Sequence, residues 1–159
     1  MREFRHTTPH GITTRVVEER EEKGGQPTEV TRNYFAIDPR SGDVYYLGED
    51  STTYTRGKPT GDGGSWLSGA KGARMGLMMP GTPKVGEKFQ QEVAPHVAMD
   101  RAEVVGLDDS VKVPAAAFQH CVHVVETTPL EHDTTHKWYA PGVGLIKDDE
   151  FELVSFSVK

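Results

Sequence analysis

Short runs of β-branched and aromatic residues recur along this chain, each cut off by turn-forming residues, and no segment carries a sustained helical stripe of apolar residues. That rhythm predicts strands over Ile12–Arg20, Val30–Ile37, Val44–Leu47, Lys88–Val93, Ala102–Leu107, Phe118–Glu126, His136–Ala140 and Glu152–Val158. The separators are Lys23-Gly24-Gly25, Asp38-Pro39-Arg40-Ser41-Gly42, Asp108-Asp109-Ser110 and Pro141-Gly142. Strands this close in sequence pair most simply as antiparallel hairpins. The expected fold is therefore all-β: a single-domain antiparallel meander forming a barrel or half-barrel, with a sandwich as the alternative.

A length of 159 residues suits one domain with a real core. Residues 1–10, which include His6 and His10 around Pro9, read as a loosely ordered N-terminal arm. A net charge of -6 gives no general attraction to polyanions, and no local basic stripe offsets it, so nucleic-acid binding is not expected. The single Cys121 has no internal disulfide partner and leaves the redox compartment open. The opening MREFRHTTPHG lacks the apolar core of a signal peptide, and the longest nearly apolar run, Val113–Phe118, is too short to span a bilayer. The expectation is a soluble chain; a leader removed before this point would leave the same sequence, so export stays open, as does the oligomeric state.

One region breaks the strand rhythm. Between Gly57 and Gly86, nine of thirty residues are Gly and three are Pro, yet Trp66, Leu67, Met75, Leu77, Met78 and Met79 lie there too. A disordered linker would not carry that much apolar surface, so the segment reads as a long ordered loop packed over the β-structure, with a short helix in Ser65–Met79 as an alternative. Tyr46, Trp66, Met75, Met78, Met79 and Trp138 are the residues expected to line a pocket for an apolar or amphipathic molecule. Such pockets are concave, mostly apolar and common in barrel mouths; the same side chains would also fill a solid core.

The segment EHDTTH, Glu131–His136, resembles a zinc-protease signature, in which a helix brings two histidines to one face. Here Asp133 stands where that motif has glutamate, and the flanking Thr, Pro, Trp and Tyr favour turn and strand. Four residues of strand span roughly 13 Å, too far for His132 and His136 to share one zinc. A different grouping survives. On a strand, Cys121 and His123 project to one face and His120 to the other. A four-residue turn over Pro129–His132 would set His136 opposite Val125 and diagonal to His123. Cys121, His123 and His136 then form a candidate copper or zinc site. The remaining signatures fail: GGSWLSGAKG lacks phosphate-loop spacing, GGSWL lacks the last glycine of a nucleophile elbow, and the paired acids lack calcium-loop spacing.

The segments TRVVEER, NYFAID, GDVYYLGED, GSWLSGAKGARMGLMMPGTPKVGEKFQQEVAP, AMDRAEVVGLDDSVKVPAAAF, TTPLE and KWYAPGVGLI resemble a family of bacterial β-rich proteins, many of them exported, with no assigned activity. The resemblance covers most of the chain from Ile12 onward. It implies a β-rich fold and an exported origin, and it transfers no functional residue; His96, His120, His132 and His136 depart from its pattern. The leading expectation is a non-enzymatic binder of a small molecule with no resident cofactor, followed by a copper or zinc module and then by an enzyme of unknown class.

Overall fold

The computed structural model describes residues 5–7, 11–62 and 64–157, with Arg5–Thr7 as backbone alone. Every regular element in it is a strand. The first eight in chain order are β1 (Arg5–Thr7), β2 (Thr13–Lys23), β3 (Gln26–Ile37), β4 (Val44–Thr55), β5 (Lys58–Gly61), β6 (Trp66–Leu67), β7 (Arg74–Met79) and β8 (Lys88–Gln90). They are followed by β9 (Glu92–Val93), β10 (Arg101–Val113), β11 (Ala116–Thr127), β12 (Thr134–Ala140), β13 (Gly144–Asp148) and β14 (Phe151–Glu152).

These strands make two antiparallel sheets. One runs β1-β2-β3-β4-β7-β9, with β5 and β6 also paired to β4; the other runs β14-β13-β12-β11-β10-β8. Neither closes on itself, so the meander is an open two-sheet, half-barrel or sandwich arrangement rather than a barrel. Met78 and Met79 on β7 join the sheets. Met79 packs on a cluster of Ala102, Val104 and Val124 from the second sheet, and the Tyr139 hydroxyl reaches the Met78 sulfur at 3.9 Å. Methionine suits such a seam because its flexible thioether fills irregular gaps.

The hairpin between β2 and β3 turns on Gly24-Gly25, both at positive φ, as a two-residue loop requires. Elsewhere the structure corrects the sequence reading. The Gly57–Gly86 segment is not a single loop, and it contains no helix. It supplies β5, β6 and β7, and β7 lies inside the first sheet between β4 and β9. Asp108-Asp109-Ser110 is not a turn. It lies within β10, where register shifts against β11 absorb the extra residues, and the chain reverses at Pro114-Ala115 instead. The final strand ends at Glu152; Leu153 still donates to the Ile146 carbonyl at 2.9 Å and packs on Cys121, Ala140 and Ile146, and residues 153–157 have no regular structure. Of the expected loose N-terminal arm, Arg5–Thr7 pairs with Thr13–Arg15; the rest lies outside the described residues.

A bulge positions the centre of the first sheet. Tyr34 pairs with Gly48 and Phe35 with Tyr46, which leaves Leu47 as the extra residue. Tyr46 and Glu49 consequently share one face despite their odd spacing. Tyr46 stacks on Phe35 at 4.9 Å and meets Trp66 edge-on at 5.3 Å. Each such aromatic pair adds about 0.5–1.5 kcal/mol beyond area burial.

Candidate functional site

Among the described residues, three neighbourhoods stand out for their chemistry. The first is the seam where the sheets face each other. From β4, the Tyr46 hydroxyl donates to Glu49 at 2.8 Å and hydrogen-bonds Asn33; Asn33 in turn donates to Glu19 at 2.8 Å. From the second sheet, Lys137 pairs with Glu126 at 2.7 Å and with Asp148 at 3.3 Å. Only 19% of the Lys137 side chain and 8% of the Glu126 side chain meet solvent.

Burial pushes Glu92 up to about 9, reinforced by Asp100, Glu49 and Glu126 and only partly opposed by Lys137. Burial likewise lifts Glu49 to about 7 against the lowering effect of its Tyr46 bond. Burial alone would lower Lys137. The attraction of Glu126, Tyr139 and Asp148 overcomes it and leaves the ammonium well above the ordinary lysine range. The seam thus holds a protonated lysine among carboxyl groups, some of them neutral at pH 7.

The second neighbourhood lies on the other face of the second sheet. His136 sits opposite Val125, the pairing expected from a turn over Pro129–His132, and His123 sits opposite Trp138. The two histidines meet: His123 Nε2 and His136 Nδ1 are 2.8 Å apart and share a hydrogen bond. Trp138 stacks on the His123 ring at 4.2 Å, and its Nε1 donates to Asp109 Oδ2 at 2.9 Å. Asp109 Oδ2 also lies 3.5 Å from His123 Nδ1. The β10 bulge supplies this aspartate, since Gly106 pairs with His123 and Asp109 with Cys121. A Cβ on Gly106 would sit 2.9 Å from Asp109 Oδ1, so a larger residue there would push this carboxylate aside. Burial lowers the His123 pKa, as does His136, with Asp109 acting in the opposite direction.

Cys121 is not brought into this group. It is fully buried with Ala140 and Ile146 beneath Leu153, and burial raises its thiol, with Asp109 adding to the shift. Among the described residues no three His, Cys, Asp or Glu side chains gather as metal ligands, so the expected three-ligand site does not assemble. His132 lies in the turn before β12, away from any shared coordination by EHDTTH.

The third neighbourhood is a depression of about 390 Å³ on the opposite side of the first sheet, lined by apolar residues including Ile12, Ile37, Tyr45, Leu47 and Met75, with Asp38 and Arg40 also present. Ile37 is 65% exposed, Met75 46% and Ile12 38%.

The residues expected to line one pocket therefore scatter. Tyr46 and Trp66 are buried in a packed cluster with Met78 against it, Met79 fills the contact between sheets, Trp138 belongs to the histidine face, and Met75 alone reaches the depression. The correction comes from strand periodicity. Placing 74–79 in β7 sends alternate side chains to opposite faces, which a loop does not require.

No protein-family model, curated protein or solved structure matches this chain. Among the described residues, no helix is long and apolar enough to cross a membrane. Sequence reasoning does not single out Asp109, Lys137 or Ile37. Asp109 lies in a turn-like triplet, whereas the alternation of Thr135, Lys137 and Tyr139 against His136 and Trp138 on one strand is a signal that Lys137 faces inward.

Proposed function

We propose that this protein is a non-enzymatic binder of a small amphipathic anion, held in the depression beside Met75 and Ile37. The observation that carries the reading is the concentration of exposed apolar side chains around a concave surface: Ile12, Ile37 and Met75 stand open around about 390 Å³. Small-ligand sites typically enclose roughly 300–1,000 Å³ and are mostly apolar with a few polar groups for orientation. Arg40 supplies a cation suited to a carboxylate or sulfonate head, while Ala36, Tyr45 and Leu47 offer apolar contact to a chain or ring. The resemblance to exported bacterial β-rich proteins belongs to the same proposal and names no ligand.

The test uses two probes, 8-anilinonaphthalene-1-sulfonate followed by fluorescence and dodecanoate followed by calorimetry. Saturable binding should weaken at least tenfold in Ile37→Asp and in Met75→Asp, and less in Arg40→Gln. Absence of saturable binding by either probe up to about 1 mM, equivalent to roughly -4 kcal/mol, would overturn the reading.

A further inference from the structure

We propose that His123 Nε2 and His136 Nδ1 form a two-nitrogen site for a tetragonal divalent cation, copper(II) above all, with Asp109 as the positioning residue behind His123.

The two ring nitrogens already stand close enough to share one ion. Two imidazole nitrogens bound in adjacent positions at roughly 2.0 Å from a metal, at an angle of about 90°, lie about 2.8 Å apart. The observed separation is 2.8 Å. That separation is also the length of the hydrogen bond a metal would displace, so the preference for copper(II) over zinc rests on the usual order of divalent affinities for imidazole nitrogen. Metal entry replaces the hydrogen bond between the rings: with His123 protonated on Nδ1, His136 must carry its own proton on Nε2 instead of Nδ1, and each freed lone pair must turn from the other nitrogen toward the ion. His136 is exposed and free to supply most of that rotation. His123 is held by the Trp138 stack on its face and by Asp109 near Nδ1.

Asp109 gives the arrangement its order. A ligating histidine commonly presents its second ring nitrogen to a carboxylate, which fixes the tautomer and raises ligand basicity. Asp109 Oδ2 stands 3.5 Å from His123 Nδ1 and is itself tied to Trp138 Nε1 at 2.9 Å. A proton on Nδ1 leaves Nε2 as the donor to metal. On the other ligand, the His136 amide donates to Asp149 Oδ1 at 2.8 Å, and the Asp149 amide donates to the His136 carbonyl at 2.9 Å, so the backbone under His136 is clamped. With two protein nitrogens the remaining positions fall to water or to an external ligand. Cys121, fully buried, is not required.

The experiment titrates the full chain with copper(II) and zinc(II), on a background in which His6 and His10 are replaced by Ala. Electron paramagnetic resonance and Trp fluorescence provide the readouts. One equivalent of copper(II) should give a tetragonal signal with two nitrogen couplings and quench Trp138. His123→Ala and His136→Ala should each lower the affinity at least tenfold and remove one nitrogen coupling. Asp109→Asn should keep both couplings while weakening binding about 10- to 100-fold, a combination that a merely structural role would not produce. Circular dichroism melts on each variant separate loss of the site from loss of the fold; should a histidine variant melt early, His136→Gln provides the exposed alternative. Two nitrogen couplings persisting in the His123→Ala/His136→Ala double variant, or copper binding no tighter in the parent than in it, would overturn the proposal.

Discussion

Strand β12 places two opposite kinds of chemistry one residue apart. Lys137 points into the seam between the sheets, where Glu126 and Asp148 hold its ammonium. Its neighbours His136 and Trp138 point the other way, onto an open face where ring meets ring and Asp109 accepts a hydrogen bond from the indole. The same alternation divides Asp148, which pairs with Lys137, from Asp149, which caps the His136 amide. A charge removed from water on one side is costly to leave alone. On the other side, solvent and ring rotation can absorb most changes. The seam is thus where buried charge is concentrated, while the exposed His136 side of β12 can vary in its binding at less cost to the fold.

The sharpest way to break this contrast is Lys137→Met. It strands Glu126 in the seam, and urea denaturation should register a loss of about 3–5 kcal/mol. Adding Glu126→Leu should restore most of it, because the isolated charge is then gone; a double variant as unstable as the single one would contradict the inward role of the pair.

Glu92 tests the same region through pH. Its carboxyl rises from an ordinary value of 4.5 to about 9 in the folded chain. Between those values the folded state therefore holds more protons than the unfolded one, and stability falls as pH climbs from 4.5 toward 9. Glu92→Gln should remove that slope. The gain of the variant over the parent should grow steadily as pH rises toward 9, with little difference near pH 4, as measured by melts across the range.

On the outward side of β12 the expected effects shrink. Trp138→Phe keeps an aromatic ring over His123 and deletes the donor to Asp109, for a cost of about 1 kcal/mol by denaturant titration. Smallest of all, Met75→Asp on the exposed side of the first sheet should stay within about 0.5 kcal/mol of the parent, even as the amphipathic probes lose their site. A large destabilisation by Met75→Asp would mean that the depression is part of the core.

The same alternation explains which features are legible in the sequence. The Gly24-Gly25 hairpin can be read because few other residues occupy two consecutive positive φ angles. The meeting of His123 and His136 can be read because counting across a four-residue turn fixes which residues oppose each other. Bulges defeat such counting. Leu47 in β4 shifts the parity of the positions that follow it, and β10 is broken by register shifts at Val104/Gly106, Gly106/Asp109 and Asp109/Val111, none of which leaves a mark in composition. Asp109 reads as part of a turn because Asp-Asp-Ser is turn chemistry, and nothing in the sequence links Tyr46 to Glu49. β6 and β7 are hidden differently: the glycines around them signal flexibility, while they pair with β4 residues well back in sequence, Met79 with Val44 for one.

The rims of the two sheets carry a further consequence. Among the described residues, the strands at those rims, β1, β9, β14 and β8, are two or three residues long. Beyond Arg15, the part of β2 not covered by β1 runs through Glu18, Glu19, Arg20, Glu21, Glu22 and Lys23. An incoming strand from another copy would find little backbone to extend, or would have to lay its own chain along a row of charges. Short and charged borders of this kind discourage the addition of a strand from a second copy.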